Sequence, residues 1–381
     1  MHPSDLPRPD PSALAASRAL LDRIAAELTE HGNWISFARF MQRALYEPGV
    51  GYYTAGSETI GAPGDFVTAP ELSPLFARCL ARQVAELLEP GDAVLEFGAG
   101  TGALAATLTQ ALAELGRGDA PYLILETSPA LRARQRERVA AGARWIEALP
   151  PSFRGVMLAN EVVDAMPVHA LTWTREGIAE RGVCANEGEL AWCERAAQGE
   201  TLAVAREITD VVLPPSGRYE SELALAARAW MRSVAESLER GALIVIDYGF
   251  PRREYYHPQR SMGTLMCHYR HRAHGDPFYL PGLQDITAHV DFSALADAAR
   301  IGGLDVLGYS GQAQFLINCG ITDLLAQTDA ADARRYAPLA GAANRLLSPA
   351  EMGELFKVLA VGRGVHRPLA GFAQGDRAHA L

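Results

Sequence analysis

The run Val94-Leu95-Glu96-Phe97-Gly98-Ala99-Gly100-Thr101-Gly102 constrains this chain more than any other stretch. An apolar segment ends in three glycines at alternate positions, and the Ala- and Leu-rich segment after Gly102 follows helical spacing. The pattern reads as a buried strand, a tight loop and a helix. Glycines there let the backbone turn sharply and let a ligand come close. The helix start adds unpaired N–H groups and a partial positive charge. The alternative is a tight turn with no ligand.

Strand-helix alternation continues on either side. Strands are predicted at Ala93–Phe97, Tyr122–Leu125, Arg144–Ile146, Gly155–Ala159 and Ala242–Asp247, with helices at Ala103–Leu115 and up to Arg138. Apolar strands separated by helices indicate an α/β fold with a doubly wound, mostly parallel sheet. Upstream, helices are expected at Ser12–Glu30, Ser36–Leu45 and Ser73–Leu88, the last capped by Ser73 with Pro74 in its first turn. Short alternations between 170 and 217 predict a small inserted β-rich region. A helix is expected from about Arg218 to Leu238, and strands at Gln314–Asn318 and Leu355–Val361. The units are then a flexible Pro-rich leader (1–12), an N-terminal helical part with a covering loop (13–90), a core in two halves (91–169 and 218–365) around the insertion, and a flexible tail (366–381). Residues 250–292 form a further irregular insertion on the substrate side.

Composition narrows the class. With 49% hydrophobic and 21% charged residues, the 381-residue chain is not a disordered one. A net charge of −10 argues against nucleic acid as a partner, which needs a basic footprint. Lys357 is the only lysine, so arginine supplies the other 34 of 35 basic residues, most simply a signature of GC-rich codons. Five scattered cysteines with no CxxC fit a reduced intracellular chain. No segment of about 18 apolar residues occurs, so no membrane insertion is expected. The start lacks a secretory pattern, which leaves a cytoplasmic location as the default.

The acids around the glycines narrow the ligand. A dinucleotide loop uses GxGxxG, whereas Gly98, Gly100 and Gly102 give GxGxG. Glu96 at the strand end would repel a pyrophosphate and suits a cationic amino group. Glu126 ends the next strand, 24 residues after Gly102, where a carboxylate can accept from both hydroxyls of a ribose. An amino acid joined to a ribose describes S-adenosylmethionine. A helix cap is the alternative for Glu126, and a buried donor is required for Glu96 in any reading.

Several stretches then carry a family resemblance: GAPGDFVTAPELSPLF (61–76), LEFGAGTGALA (95–105), LETSPALRARQ (125–135), ANEVVDAMPV (159–168), VIDYG (245–249), PGLQDITAHVDF (281–292) and FKVLAVGRG (356–364). The chain resembles the MidA family of class I S-adenosylmethionine-dependent methyltransferases, which includes a mitochondrial complex I assembly methyltransferase. The resemblance implies a seven-stranded, Rossmann-like methyltransferase sheet and S-adenosylmethionine as cofactor. It implies a protein substrate, arginine by analogy with a relative that acts on a respiratory complex subunit. Methylation of a small molecule, and an assembly factor without turnover, are the alternatives.

Asn160, Glu161 and Asp164 follow the strand that ends at Ala159 and so face the crevice where open α/β sheets bind ligands. A carboxylate can hold a planar guanidinium bidentately, and a second group can accept the proton that nitrogen loses. Glu161 and Asp164 are the candidates, with helix capping as the alternative for Asn160 and Asp164. Thr101 joins the glycines in the cofactor set. Asp65, Phe66, Thr68 and Glu71 sit in the long loop 46–74, which is expected to cover the cofactor or wall the substrate channel. Asp65 and Thr68 are placed with the cofactor. Tyr248 ends a central strand within reach of the crevice. Asp285, Thr287, His289 and Asp291 either line the substrate side or serve as caps and turns. Cys267, His268, His271 and His274 read as a polar rim and not as a metal site. The Arg-rich run 132–138 reads as a solvated helix face.

Overall fold

The computed structural model describes residues 6–55, 68–139, 142–208 and 211–381. Its central sheet holds seven strands on one path: β1 (Ala93–Phe97), β2 (Tyr122–Leu125), β3 (Ala143–Ile146), β4 (Phe153–Asn160), β5 (Leu238–Phe250), β6 (Asp305–Gly311) and β7 (Phe356–Arg363). Their spatial order is β6-β7-β5-β4-β1-β2-β3. Neighbours from β5 to β3 run parallel, while β7 is antiparallel to both β5 and β6. The short strand Val290–Asp291 adds to the end of β5. The middle strands of this sheet are mostly apolar because helices cover both faces. Pro74–Leu87 and Ala103–Glu114 pack on one face, Leu225–Ser237 and Phe292–Ile301 on the other.

The chain winds outward from β1 to β2 and β3, then returns to place β4 on the other side of β1. Phe97 and Ala159 are register partners at the carboxyl ends of this pair. Ligands in open α/β sheets sit where the winding reverses in this way. The N-terminal part stacks over the same end. Its helices Pro11–Glu30 and Phe37–Tyr46 share a core with the inserted sheet, and Ile35–Ser36 joins that sheet beside Ile178–Asn186.

Several expected elements differ. Arg218–Leu223 is a strand, not the start of a helix; it pairs with His169–Thr174 and buries Tyr219 and Ser221–Leu223, so the inserted sheet runs to Leu223 and the helix begins at Leu225. Gln312–Asn318 is a helix, not a strand, and the edge strand of the core is Asp305–Gly311, which was not foreseen. A short apolar run does not distinguish the two periods. The range 250–292 contains a three-stranded antiparallel sheet (Met266–Tyr269, Arg272–His274, Asp285–Thr287). The tail is packed: Phe372 is buried against Phe315, and Asp376 accepts from the Tyr309 N–H at 3.0 Å. At the other end the first helix starts at Pro11, capped by Asp10, whose carboxylate accepts from the Ser12 and Ala13 N–H groups at 2.9 Å each.

Candidate functional site

A cavity of about 400 Å³ opens at the carboxyl ends of β1 and β4. The glycine loop is its floor. Gly98, Gly100 and Gly102 have φ of +56°, +53° and +83°, a region that side-chain-bearing residues rarely enter. Gly102 begins the helix Ala103–Glu114, and a Cβ there would lie 3.0 Å from a Val139 methyl. The loop therefore needs glycine for its backbone and, at Gly102, for space.

Glu96 lines the cavity yet is only 3% exposed. The Tyr122 hydroxyl, from β2, donates to its Oε2 at 2.6 Å. Burial, opposed by that hydrogen bond and aided by the nearby Glu126 charge, pushes the carboxyl up to about 7. This is the donor that a buried Glu96 required. Glu126 ends the next strand and also lines the cavity. Its Oε1 accepts from the Ser128 N–H at 2.9 Å and its Oε2 from Gln135 Nε2 at 3.0 Å. Burial raises it above the usual carboxylate range despite those donors. Gln135 also donates to the Gly100 carbonyl at 2.9 Å and accepts from the Trp145 indole, so it braces both the acid and the loop. The capping helix Pro129–Arg138 is held by Ser128 instead of Glu126.

Asn160 and Glu161 form the facing wall. Glu161 sits at φ +53°, costly for a residue with a side chain, and its N–H donates to the Ile246 carbonyl of β5 at 2.9 Å. Asn160 Nδ2 donates to Glu161 Oε1 at 3.2 Å. Burial and the Asp164 charge push Glu161 up to about 8. No helix follows: the turn leads straight to the strand at His169, so neither Asn160 nor Asp164 is a helix cap. Asp164 lies behind the wall and does not line the cavity. The Tyr248 hydroxyl donates to its Oδ2, and its own N–H and that of Val163 donate to the buried Asp247 at 3.2 and 3.0 Å. Tyr248 points into this acid cluster instead of the crevice. Asp247 thus fixes the turn that presents Glu161.

Thr68 lines the cavity and begins the short helix Ala69–Leu72 with its hydroxyl unused as a cap. Asp65 and Phe66 lie outside the described residues. The Arg-rich run is not simply solvated. Arg132 donates to the Glu126 carbonyl at 2.6 Å, and Arg138 binds Glu71. In the 281–292 stretch Asp285 is buried and accepts from Tyr53 at 2.9 Å, while Asp291 caps the helix Phe292–Ile301. His289 packs beside Tyr248, and burial with nearby Arg260 and Lys357 lowers it to about 4. His271 sits in the turn between the strands that carry Cys267, His268 and His274. Among the described residues no three His, Cys, Asp or Glu side chains converge in a way that would hold a metal.

Sequence reasoning missed the aromatic side of the cavity. Tyr46 and Tyr53 stack at 5.5 Å, and Trp230 meets Phe97 edge-on at 5.2 Å. Only the density of aromatics in 46–74 hinted at it. The set as a whole fits S-adenosylmethionine: acids for the ammonium and ribose, a glycine floor, and apolar walls for a base.

Comparison with known proteins agrees with that geometry. A family described as S-adenosyl-L-methionine-dependent methyltransferase matches residues 75–310. The protein arginine methyltransferase NDUFAF7 of Danio rerio mitochondria is 27% identical over 392 residues, covering 92% of this chain and 88% of that protein. Its Caenorhabditis elegans homologue is 26% identical over 75% of this chain and 73% of its own length. A Burkholderia thailandensis protein crystallised with S-adenosyl-homocysteine is 51% identical, covers 99% of this chain and 100% of its own, and superposes with a TM-score of 0.93.

Proposed function

The chain belongs to the family of S-adenosyl-L-methionine-dependent methyltransferases, and from that premise we propose that it methylates an arginine guanidinium of a protein. The observation that carries this reading is the Glu161 carboxylate. It is held at the cavity wall by a backbone conformation that costs energy, next to the Asn160 amide. The arginine methyltransferase names of the curated relatives support it. The resemblance to that family also makes a respiratory-complex subunit the first acceptor to test.

We assign Glu96, Gly98, Gly100, Thr101, Gly102, Glu126 and Thr68 to the cofactor, with Asp65 as a further candidate from the sequence. The bound cofactor supplies a methyl group on a sulfonium. Glu96 would hold the ammonium of its amino acid end and Glu126 the ribose hydroxyls. The glycine loop lets the backbone approach, and the stacked tyrosines keep water from the acceptor side. Glu161 accepts N–H bonds from the guanidinium, fixes its plane and takes the proton released when nitrogen gains carbon. Its raised pKa suits that task, because a base poised near neutrality shares a proton most readily. Asn160 holds the Glu161 carboxylate in place. Asp164 acts from behind as a positioning group: its charge keeps Glu161 basic, and Tyr248 anchors it.

The test is incubation with labelled methyl donor and a lysate of host cells, followed by mass spectrometry for methylarginine. Methylarginine in a protein band, lost with Glu161→Gln, is the expected result. Label confined to small metabolites overturns the protein acceptor, and label on another side chain overturns arginine.

A further inference from the structure

Three separate segments meet at one guanidinium. Arg138, in the last turn of Pro129–Arg138, donates from Nη1 to Glu71 Oε1 at 2.6 Å and from Nη2 to Glu71 Oε2 at 3.0 Å. The same Nη1 donates to Thr101 Oγ1 at 2.8 Å, and the Thr101 hydroxyl donates to Glu71. Thr101 belongs to the glycine loop, and Glu71 to the short helix Ala69–Leu72. The bidentate fork fixes orientation as well as distance. Arg138 and Glu71 do not line the cavity, but their neighbours Thr68, Pro70 and Thr101 do.

The start of the Ala69–Leu72 segment borders the same cavity as Asn160 and Glu161, through Thr68 and Pro70. One short segment thus meets the glycine loop through Glu71 and the cavity through Thr68 and Pro70. We infer that Arg138 is a positioning residue for the cofactor, fastening the 68–72 wall to the glycine loop so that the cofactor is held between them. The inference rests on the cofactor assignment and not on the identity of the methyl acceptor. Arg138 is partly solvent-exposed, at 44% of its side chain against 16% for Glu71. The latch therefore loosens in high salt.

The experiment is the rate of S-adenosyl-homocysteine release from the full chain, followed by stopped-flow fluorescence. Wild type, Arg138→Ala, Arg138→Lys, Glu71→Gln and the double variant Glu71→Gln/Arg138→Ala are compared, each with its ligand-free melting temperature. Release about tenfold faster in Arg138→Ala and Glu71→Gln is expected, with the double variant no faster than either single one. Arg138→Lys falls between, because an ammonium cannot reproduce the fork. Ligand-free melting stays within about 2 °C of wild type, since an ion pair this exposed adds little to folding. Unchanged release, or additive single effects, overturns the latch. A melting temperature that falls in step with release makes Arg138 a general structural residue, which also overturns it. Failure of wild type itself to bind S-adenosyl-homocysteine strikes the cofactor assignment instead.

Discussion

The cofactor role proposed for Glu96 gives binding a proton to move. Its carboxyl is raised to about 7 by burial. A cationic ammonium favours the charged form, so cofactor binding releases a proton below that value. Affinity for S-adenosyl-homocysteine is therefore expected to tighten as pH rises from about 6 to 8, approaching tenfold per unit on the acid side. Calorimetric titration in buffers of different ionisation heat measures the released proton. Glu96→Gln should bind weakly and lose most of this slope; a slope equal to wild type assigns the proton elsewhere. Glu161→Gln separates chemistry from binding. It should keep S-adenosyl-homocysteine affinity within a few fold while turnover falls by about 10² to 10⁴. Equal losses in both would make Glu161 part of the cofactor site.

At the scale of elements, glycine positions and aromatic contacts carry the cost of change. Gly102→Ala puts a Cβ 3.0 Å from Val139 at φ +83°. The helix start and loop must then shift, and S-adenosyl-homocysteine affinity should drop at least about tenfold. Fluorescence titration of the purified variant checks this, and wild-type affinity would mean that the loop has slack. The C-terminal segment is tied down by Phe372, whose ring packs over Gly308 where a Cβ would come within 2.3 Å. Phe372→Ala should cost about 3 kcal/mol in urea unfolding, the usual price of emptying an aromatic site. A loss under about 1 kcal/mol would show a tail that docks loosely. The central strands were legible because burial on both faces leaves a continuous apolar run, as in Ala242–Ile246. Arg218–Leu223 was not, because Tyr219, Ser221 and Leu223 gain their strand character from pairing with His169–Thr174. Gln314–Asn318 lies in the helix Gln312–Asn318 and not in a strand for the same reason: Phe315 and Leu316 are buried by tertiary neighbours and not by their own period.

For the molecule as a whole, the buried acids set the pH response. Glu96 and Glu161 are raised to about 7 and about 8, and Glu126, Glu222 and Asp291 are also raised, all first through burial. A raised acid binds its proton more tightly when folded. Its stability contribution is complete below the unfolded carboxylate range and is lost as pH climbs through the folded value. Ion-paired Glu27, Glu47 and Glu354 are lowered, and their contribution is lost only as pH falls below that range. The ligand-free protein should therefore melt at progressively lower temperature from about pH 5 to pH 8. S-adenosyl-homocysteine should narrow the difference by compensating the charge at Glu96. Calorimetric scans across that range with and without the ligand decide it, and a ligand-free melting temperature that rises to pH 8 would contradict it.

By itself the sequence determined the central parallel strands, the glycine loop and the position of the two strand-end acids Glu96 and Glu126. Each is a local matter of apolar period, backbone freedom and the position of a charge relative to a strand end. It also marked Asn160 and Glu161, through their place directly after a core strand. Only the tertiary structure decided that Asp164 and Tyr248 lie behind the wall, that Tyr122 supplies the Glu96 proton donor, and that Arg138, Glu71 and Thr101 meet. Those contacts join residues that are 26 to 84 positions apart. No local preference encodes them; they exist because parallel winding brings successive strand ends to one edge, where long side chains from separate segments share the same buried space.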